Sequence, residues 1–548
     1  MSDPSASPPP VLRRALFFRG WRWLAAAATG LMLILSFPPW NQGWLCWIAL
    51  TPLISALLST PEGKRRWLRL AGLGYLSGWI FIAGAFWWLG TLAPLFQSSF
   101  LYCLPALLAF YMGLYVAAWS WFIGGVLASS RGQPLKLNSS FRNLLIGVAG
   151  AAAWLPLEYW RTWFLGGFGW NPLGVALHQD LAMIQIADIT GVPGLSFLVA
   201  FVNLMAVIVA RRLISDLGPV FLTRVRWEFS VTMAMVAAVF AYGVRTLLRK
   251  DSAPSILLRT ALIQPNIPQS EKHDPAMEDS IFSQLDRLTS LAALSKPRPQ
   301  LFIWPEASTP RSMFADSVNY DFVIDQAKHT EAALLLGTID FDLDKKEDYN
   351  IAALLTDSGE KQQFYRKIHL VPFGEFLPLR PLSTAVVGEL VPSDFTPGTK
   401  YTLLQLTDPP VRLAALICFE DTVGDLTRRF VLEGAQLLVN ITNDGWFARS
   451  PAAEQHLANA LFRCVETRRP LVRCGNTGVT CSVDTRGRVD LWMRPFEEGF
   501  SIRDVSVPIT TATTFYTRNG DWFTKLCAGI MLAAGLGSLG FRKPPKSP

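Results

Sequence analysis

Charged side chains are scarce in this 548-residue chain. They make up 17% of the residues, against roughly 25% in soluble domains. Hydrophobic residues make up 51%, and 20 residues are tryptophan. This composition argues against an ordinary soluble protein and predicts a membrane protein. The chain is also too long for one soluble domain, so we expect at least two parts.

Cysteine patterns of the usual structural kinds are missing. The seven cysteines include no CxxC pair and no Cys/His cluster at zinc spacing, so the sequence indicates no metal and no organic cofactor. Cys474 and Cys481 could pair, which the sequence leaves open. A cleavable signal peptide is not evident either, because the first apolar stretch follows several arginines and runs to FPPW without a small-residue cleavage site.

Long apolar runs divide the chain into two parts. A bilayer core needs about 20 mainly apolar residues per helix. We predict a membrane domain over 22–250 with seven transmembrane helices, and a C-terminal transmembrane helix within 520–541. The eight predicted spans are 22–38, 43–59, 69–92, 100–128, 143–163, 185–210, 229–247 and 522–541.

Basic residues are concentrated on one predicted side of the membrane. They cluster in the N-terminal tail and in every second loop, whereas the other short loops hold almost none, Arg161 being the visible exception. This positive-inside pattern predicts cytoplasmic tails at 1–21 and 542–548 and an outer location for 251–519. It explains much of the net charge of +8, so the bilayer is the expected partner and nucleic acid is not.

Residues 251–519 alternate short apolar runs with amphipathic stretches. Helical patterns occupy 278–295 and 452–469, and the alternation predicts a layered α/β domain. The predicted strands include the runs TALIQ, LFIWP, ALLLGTI, AALICF and QLLVNIT.

Three chemically active residues lie near strand ends of this domain. Glu306 follows LFIWP, Lys367 lies in FYRKIHL, and Cys418 ends AALIC. Taken singly, each has an ordinary interpretation: a solvated carboxylate, a surface lysine and a small buried hydrophobe. Together they form an acyl-transfer apparatus, because a thiol needs a base, glutamate can be that base, and lysine can stabilise an oxyanion. His369 is the only nearby histidine, which weakens a Cys-His interpretation.

The motifs WPE, RKIHLVPFGEFLP and CFED resemble those of the nitrilase superfamily in order and separation. With the membrane helices before and after the domain, the chain resembles the apolipoprotein N-acyltransferase family, also in LSFPPWNQGW, ALIQPNIPQSEK, NDGWFARSP and YTRNGDW. The resemblance implies an αββα sandwich over 251–519. It also implies that Glu306 is the general base, Lys367 the oxyanion-stabilising cation and Cys418 the nucleophile.

Further residues are implied by the same resemblance. The predicted supporting residues are Trp304, Glu375, Phe419 and Glu420. The predicted substrate-binding residues are His273, Asn443 and Trp446. Two of these depart from the family pattern: His273 stands where the family often has tryptophan, and Phe419 where it usually has tyrosine. Phenylalanine keeps the ring and loses the hydroxyl, so the lining of the acyl or amine pocket stays open.

The implied activity is the last step of lipoprotein maturation in the bacterial inner membrane, with the catalytic domain periplasmic. A phospholipid would acylate Cys418, and the thioester would pass to the N-terminal amine of a diacylglyceryl-modified apolipoprotein. We expect a monomer whose partners are these two substrates and the bilayer. The stretch 380–398, with apolar residues and several prolines, is a predicted mobile lid; an ordinary surface loop is the alternative.

Two other functions are consistent with parts of the sequence. A membrane-tethered nitrilase-type amidase would use the same three residues with water as acceptor, but it needs only one anchor. A transporter with an extracytoplasmic domain predicts charged residues inside the spans. The predicted spans are nearly free of Asp, Glu and Lys, which argues against transport.

Overall fold

A computed structural model of the chain describes residues 20–127, 137, 139–215, 226–249, 253–272, 274–342, 344–359, 361–381, 384 and 394–540. The predicted substrate contact His273, most of the two predicted tails and most of the predicted lid lie outside these residues.

Apolar helices form the N-terminal part of the chain and its C-terminal end. In chain order the α-helices are α1 (Trp21–Leu35), α2 (Cys46–Ala49), α3 (Thr51–Leu58), α4 (Arg66–Ala85), α5 (Leu92–Leu95), α6 (Leu104–Trp121), α7 (Ser140–Trp160), α8 (Leu181–Ile184), α9 (Ala187–Thr190), α10 (Val192–Ser215), α11 (Arg226–Leu248), α12 (Glu278–Ala293), α13 (Ser317–Thr330), α14 (Gly424–Leu432), α15 (Ala452–Thr467), α16 (Phe515–Asn519) and α17 (Trp522–Gly540).

Five helical segments in the described part of the chain are long and apolar enough to cross a bilayer. They are Arg66–Ala85, Ser99–Leu127, Ser140–Trp160, Val192–Ile214 and Arg226–Leu248. Their outward faces carry large apolar side chains such as Phe110, Phe141 and Phe229, each more than half exposed. Such faces are typical of helices in contact with lipid.

The other predicted spans are shorter or interrupted. α1 has 15 residues, and the predicted span 43–59 is divided into a 3₁₀ turn (Gly43–Leu45) followed by α2 and α3. The predicted span 185–210 starts with the one-turn helix α9, and its long helix α10 begins only at Val192. Gly191 separates the two with a φ of +67°, a backbone conformation that glycine adopts at little cost.

Twelve strands in the described residues form two six-stranded sheets. The strands are β1 (Ser255–Gln264), β2 (Leu301–Ile303), β3 (Ala333–Asp342), β4 (Glu347–Leu355), β5 (Gln362–Arg366), β6 (Leu404–Gln405), β7 (Arg412–Ile417), β8 (Leu437–Thr442), β9 (Leu471–Gly475), β10 (Thr480–Val483), β11 (Val489–Met493) and β12 (Gly499–Pro508). The first sheet has the order β12-β1-β2-β3-β4-β5, and the second β11-β10-β9-β8-β7-β6.

Both sheets have three parallel strands at their centre. These are β1, β2 and β3 in the first sheet and β7, β8 and β9 in the second, and antiparallel strands flank them on either side. Because the carboxyl ends of parallel strands meet at one edge, residues that follow β2 and β7 are brought to the sheet edge where ligands usually bind in α/β proteins.

Alternating side chains of the first sheet build two separate cores. Leu301 and Ile303 face the second sheet, whereas Phe302 points to the opposite face and packs with α12 and α13. On the second sheet, Phe430 of α14 and Phe462 of α15 belong to the same core as the strands. The predicted αββα sandwich is therefore present, and the helical patterns at 278–295 and 452–469 correspond to α12 and α15.

Helix α15 joins the sandwich to the membrane domain. The Gln455 side chain donates to the carbonyl oxygens of Pro38 and Ala85, at 2.9 and 3.0 Å, and accepts from the Trp88 indole at 3.1 Å. One turn later, the Asn459 amide donates to Asn171 Oδ1 at 3.0 Å. These buried bonds fix the sandwich against the loops at one end of the membrane helices.

Candidate active site

The three residues predicted to carry the chemistry converge between the sheets. Glu306 lies three residues after β2, Lys367 directly after β5 and Cys418 directly after β7. The Lys367 ammonium lies 3.7 Å from Glu306 Oε1 and 2.8 Å from Glu375 Oε1. Lys367 is 1% exposed and Glu306 7%, so the ion pairs are shielded from water. Such shielding strengthens each charge-charge interaction.

Asn350, on β4, connects the two carboxylates. Its amide nitrogen donates to Glu306 Oε1 and to Glu375 Oε1, both at 2.9 Å. The second oxygen of Glu306 accepts from the Asn443 backbone N–H at 3.1 Å, and that of Glu375 from the Val371 backbone N–H at 2.8 Å. Both oxygens of each carboxylate are therefore held in fixed directions.

Cys418 begins a 3₁₀ turn with a backbone conformation that is uncommon for residues other than glycine. Its φ is +52°, and the turn covers Cys418–Thr422. The Asn440 amide holds the turn by donating to the carbonyl oxygens of Leu416 and Cys418, at 3.0 and 2.9 Å. Backbone strain of this kind costs of order 1–3 kcal/mol and occurs often at functional sites.

Burial and nearby charges determine the protonation of the thiol and the lysine. Burial raises the pKa of Cys418 well above its usual value, Glu306 raises it further, and Lys367 opposes the shift. For Lys367, burial lowers the pKa, but Glu375 and Glu306 outweigh it and raise the pKa above its usual value. The resting site therefore holds a neutral thiol beside an ammonium and ionisable carboxyls, and the thiol needs a base before it can attack.

Glu420 supports the turn rather than the thiol directly. Its Oε1 accepts from the Tyr365 hydroxyl at 2.7 Å and from the backbone N–H groups of Ile368 and His369, at 2.8 and 3.0 Å. Its Oε2 accepts from the Ile417 backbone N–H at 2.9 Å. Complete burial raises the pKa of Glu420 to about 7 against the effect of these donors. The carboxyl thus ties the chain beside Lys367 to the chain before Cys418.

Phe419 packs among aromatic rings of both domains. Its ring stacks on Phe168 and Trp170 of the membrane domain, with centroid separations of 6.3 and 5.7 Å. His369 stacks on it at 5.6 Å. All three contacts use the faces of the Phe419 ring. Phenylalanine can therefore make this packing without the tyrosine hydroxyl that the family pattern led us to expect.

Behind the turn lies a buried cluster of charged side chains. His456 of α15 contacts Asp421 through Nε2 at 2.7 Å and Asp444 through Nδ1 at 2.8 Å. Arg473 of β9 donates to both aspartates and also lies 2.8 Å from His456 Nδ1. Burial and Arg473 lower the pKa of His456, but the two carboxylates outweigh them and raise it. This cluster connects the turn that begins at Cys418 to α15 and β9.

Not every predicted residue reaches the pocket. Trp304 packs on the far face of its sheet, where its indole donates to Thr289 Oγ1 at 3.1 Å and its ring lies 5.9 Å from that of Phe322. Trp304 is therefore a core residue between the first sheet and the helices α12 and α13. The prediction failed because side chains alternate along a strand, and Trp304 shares a face with Phe302.

The two predicted substrate contacts that the structure describes lie in one loop. The Asn443 backbone holds Glu306, while its side chain is occupied by Gln269 at 2.6 Å and Asn476 at 3.0 Å. The half-buried Trp446 stacks on Phe96 of the membrane domain, with a centroid separation of 6.1 Å. This loop therefore contacts both Glu306 and the membrane domain.

Several residues of the site were not predicted. Asn350, His456 and Arg473 lie on buried strands or helices outside the three motifs, and their side chains meet the site only in the tertiary fold. The sequence held one signal for the buried cluster of His456 and Arg473, which is the adjacent pair Asn443 and Asp444. A polar pair directly after the buried strand β8 marks a strand end that faces ligands. Cys474 and Cys481 are both free and buried, so the disulfide left open by the sequence is not formed.

Comparison with known proteins places this site in a family. The N-terminal domain profile of apolipoprotein N-acyltransferases matches residues 29–205, and the carbon-nitrogen hydrolase profile matches residues 259–514. The apolipoprotein N-acyltransferase of Geobacter metallireducens is 33% identical over 535 residues, which covers 95% of both chains. The chain belongs to the apolipoprotein N-acyltransferase family. The family member from Methylococcus capsulatus is 32% identical and covers 93% of this chain and 94% of its own.

Two solved structures align with about half of this family member. An amidase from Nesterenkonia sp. is 17% identical, with a TM-score of 0.34, and covers 48% of this chain and 94% of its own. A carbon-nitrogen hydrolase from Helicobacter pylori G27 is 13% identical, with a TM-score of 0.36, and covers 53% and 96%.

Proposed function

We propose that this protein N-acylates the N-terminal diacylglyceryl-cysteine of bacterial apolipoproteins, with a phospholipid as acyl donor. The observation that carries the proposal is the shielded group of Glu306, Lys367 and Glu375 around a half-buried thiol, in a chain of this family. A thiol with a base and a cation can take an acyl group and pass it on. Packing of the site against apolar helices suits two substrates that are both anchored in a bilayer.

In the first half-reaction, Cys418 is acylated. Glu306 takes the thiol proton while the sulfur attacks the ester carbonyl of the phospholipid. The tetrahedral oxyanion is stabilised by the Lys367 ammonium, which the neighbouring carboxylates keep charged. The carbon–oxygen bond of the ester then breaks, and the lysophospholipid alkoxide leaves with the proton from Glu306. The acyl chain remains on Cys418 as a thioester.

In the second half-reaction, the acyl group moves to an amine. The free α-amine of the diacylglyceryl-cysteine attacks the thioester carbonyl, and Glu306 accepts the proton that the amine loses. The tetrahedral intermediate collapses, the carbon–sulfur bond breaks, and the Cys418 sulfur takes the proton back. The product is an amide, and the enzyme returns to its starting state.

We also propose a topology of eight spans with both termini cytoplasmic and the catalytic domain periplasmic in the bacterial inner membrane, and a monomeric enzyme. The basic inner loops and the five long apolar helices support the topology. The contacts of α15 with Pro38, Ala85 and Trp88 support an active site on the outer side, because these residues lie at the predicted outer ends of their spans.

An acylation assay on the full chain in detergent tests the proposed activity. The chain is mixed with a phospholipid and a synthetic diacylglyceryl-cysteine peptide, and the peptide is followed by mass spectrometry. We expect a third acyl chain on the peptide, and no such product with Cys418→Ala. Cys103→Ala, which removes an exposed thiol distant in sequence from the site, is the matched control and should react at the wild-type rate. Release of free fatty acid without peptide acylation would instead indicate the amidase-type alternative.

A further inference from the structure

A second lysine is buried beside the candidate base. Lys272 lies in the loop after β1, and 2% of its surface is exposed. Its ammonium donates to the backbone carbonyl oxygen of Glu306 at 2.8 Å. A lysine buried this deeply is rare unless it is paired, and this one contacts the main chain that carries the base.

The active site has more acidic groups than the Lys367 ammonium can neutralise, so a second cation would balance its charge. Glu306 and Glu375 face the single ammonium of Lys367, so these three groups carry an excess negative charge when both carboxyls are ionised. An ionised Cys418 would add another negative charge. Glu306 and Cys418 both raise the pKa of Lys272, so a positive charge on this lysine is favoured beside them and offsets this excess.

Contacts on several sides hold the backbone of Glu306 in place. A Cβ atom on Gly337 of β3 would lie 2.6 Å from Glu306 Cα, so β3 approaches Glu306 closely on one side. Lys272 holds the carbonyl group of the same residue, and the Asn443 N–H holds its carboxylate. The lysine is therefore part of the packing that fixes the position of the base.

We propose that Lys272 is a positioning residue of the active site, which fixes the backbone of Glu306 and supplies the second positive charge that favours ionisation of Cys418. This inference rests on the roles of Glu306 and Cys418 in the proposed function. It adds a residue that the Glu-Lys-Cys set does not include.

The protonation of Lys272 makes the proposal testable by pH. Burial lowers the pKa of Lys272 to about 8, although Glu306 and Cys418 oppose the shift. The lysine is therefore charged at pH 7 and neutral above about pH 9. Its electrostatic effect on the thiol must disappear over the same interval, whereas a purely structural effect would not.

The experiment measures alkylation of Cys418 by iodoacetamide between pH 6 and pH 10 in the full chain. Trypsin releases Cys418 in the peptide 413–428, which contains no other cysteine, so mass spectrometry follows this thiol alone. Wild type is compared with Lys272→Met, Lys272→Arg and the control Lys361→Met, which replaces an exposed lysine of the same domain. No phospholipid or peptide substrate is needed, so the result is independent of the acyltransferase activity.

We expect Lys272→Met to react about tenfold more slowly than wild type at pH 7, the ratio that corresponds to one pKa unit, and at nearly the wild-type rate at pH 9.5. The alkylation rate of Lys272→Arg, divided by that of wild type, should rise about tenfold between pH 7 and pH 9.5, because the guanidinium keeps its charge while the wild-type lysine loses it. A Lys272→Met deficit that is the same at both pH values, or absent at both, would overturn the proposal. If Lys272→Met does not fold, the ratio of alkylation rates of Lys272→Arg and wild type is the deciding measurement. A ratio that does not change between pH 7 and pH 9.5 would contradict the proposal.

Discussion

At the residue scale, the two carboxylates of the site share one amide. Asn350 is the common donor to Glu306 and Glu375, so it sets the separation of the base from the group that binds Lys367. Hydrogen bonds to charged groups contribute about 1.5–3 kcal/mol each. The geometry of the base thus depends on a residue that itself transfers no proton.

We expect Asn350→Ala to slow acylation of Cys418 by roughly 10- to 100-fold, because Glu306 loses a donor that orients it. The rate is measured in a single turnover with phospholipid alone, by mass spectrometry of the intact protein. Asn519→Ala, at an exposed asparagine of α16, is the control. An Asn350→Ala rate within twofold of wild type would show that the amide does not orient the base.

Glu420 gives a pH dependence of stability whose sign follows from its pKa. The folded pKa of about 7 is above the ordinary value of 4.5, so the folded state binds the proton more tightly than the unfolded chain. Stability from this group is full below pH 4.5 and is lost as the pH rises through 7.

Glu420→Gln removes this titration. Between pH 5 and pH 8, wild type should therefore lose stability relative to Glu420→Gln, by about 2.5 kcal/mol for a shift of this size. Thermal unfolding of both proteins, followed by tryptophan fluorescence at the two pH values, gives the comparison. A difference in melting temperature that does not change with pH would contradict the assigned pKa.

The three chemical residues could be predicted from sequence because each belongs to a short motif at a strand end. Asn350, Lys272 and the Phe419 stack could not, since their partners are 25 or more residues away in the chain and are brought close only by the tertiary fold. Trp304 was placed wrongly because it continues the side-chain alternation of β2 onto the far face, whereas the chain turns after Pro305 and carries Glu306 away from that face.

At the element scale, α15 is the helix that connects the site to the membrane domain. On one face, Gln455 and Asn459 bind the loops at one end of the membrane helices, and His456 between them contacts the aspartates behind Cys418. Adjacent residues on this helix therefore contact the two sides of one interface. A shift of α15 would move the nucleophile's turn and the membrane contacts together.

We expect His456→Leu to destabilise the protein by about 3–5 kcal/mol, because it leaves Asp421, Asp444 and Arg473 buried without one member of the cluster. A large fall in melting temperature relative to wild type is the measured outcome. His329→Leu, at an exposed histidine of α13, should change it little. Equal melting temperatures for the two variants would mean that the cluster does not hold the fold.

The strands and amphipathic helices of the sandwich were predicted well because their apolar periodicity is strong. The membrane spans were predicted less well at their ends. Composition alone did not reveal that 43–59 breaks into α2 and α3 after a 3₁₀ turn, since each piece is apolar. The close approach of Gly43 to the carbonyl oxygen of Ala176, 2.5 Å from a Cβ built on the glycine, is a tertiary constraint that hydropathy does not contain.

At the scale of the whole molecule, the proposed topology puts the sandwich and the short outer loops on one side of the membrane. Cys103 is exposed and directly precedes α6, at the predicted outer end of that span. Lys64 is exposed in a predicted inner loop. The two positions therefore report opposite sides in the proposed topology.

In intact spheroplasts of a Cys418→Ala background, we expect a membrane-impermeant maleimide to label Cys103. A cysteine introduced as Lys64→Cys, with Cys103→Ala as well, should react only after lysis. Labelling is read by mass spectrometry of the purified chain. The reverse order of labelling would place the sandwich in the cytoplasm and contradict the topology.

In the proposed mechanism, phospholipid alone acylates Cys418, and the acyl group then moves to an amine. Wild type is incubated with phospholipid, and samples are taken before and after a diacylglyceryl-cysteine peptide is added. Each sample is digested with trypsin, and the mass of peptide 413–428 is measured by mass spectrometry. We predict an acyl mass on this peptide that disappears as the lipopeptide gains a third chain. No acyl mass on Cys418 with phospholipid alone, or an acyl mass that persists when the lipopeptide is acylated, would contradict the account.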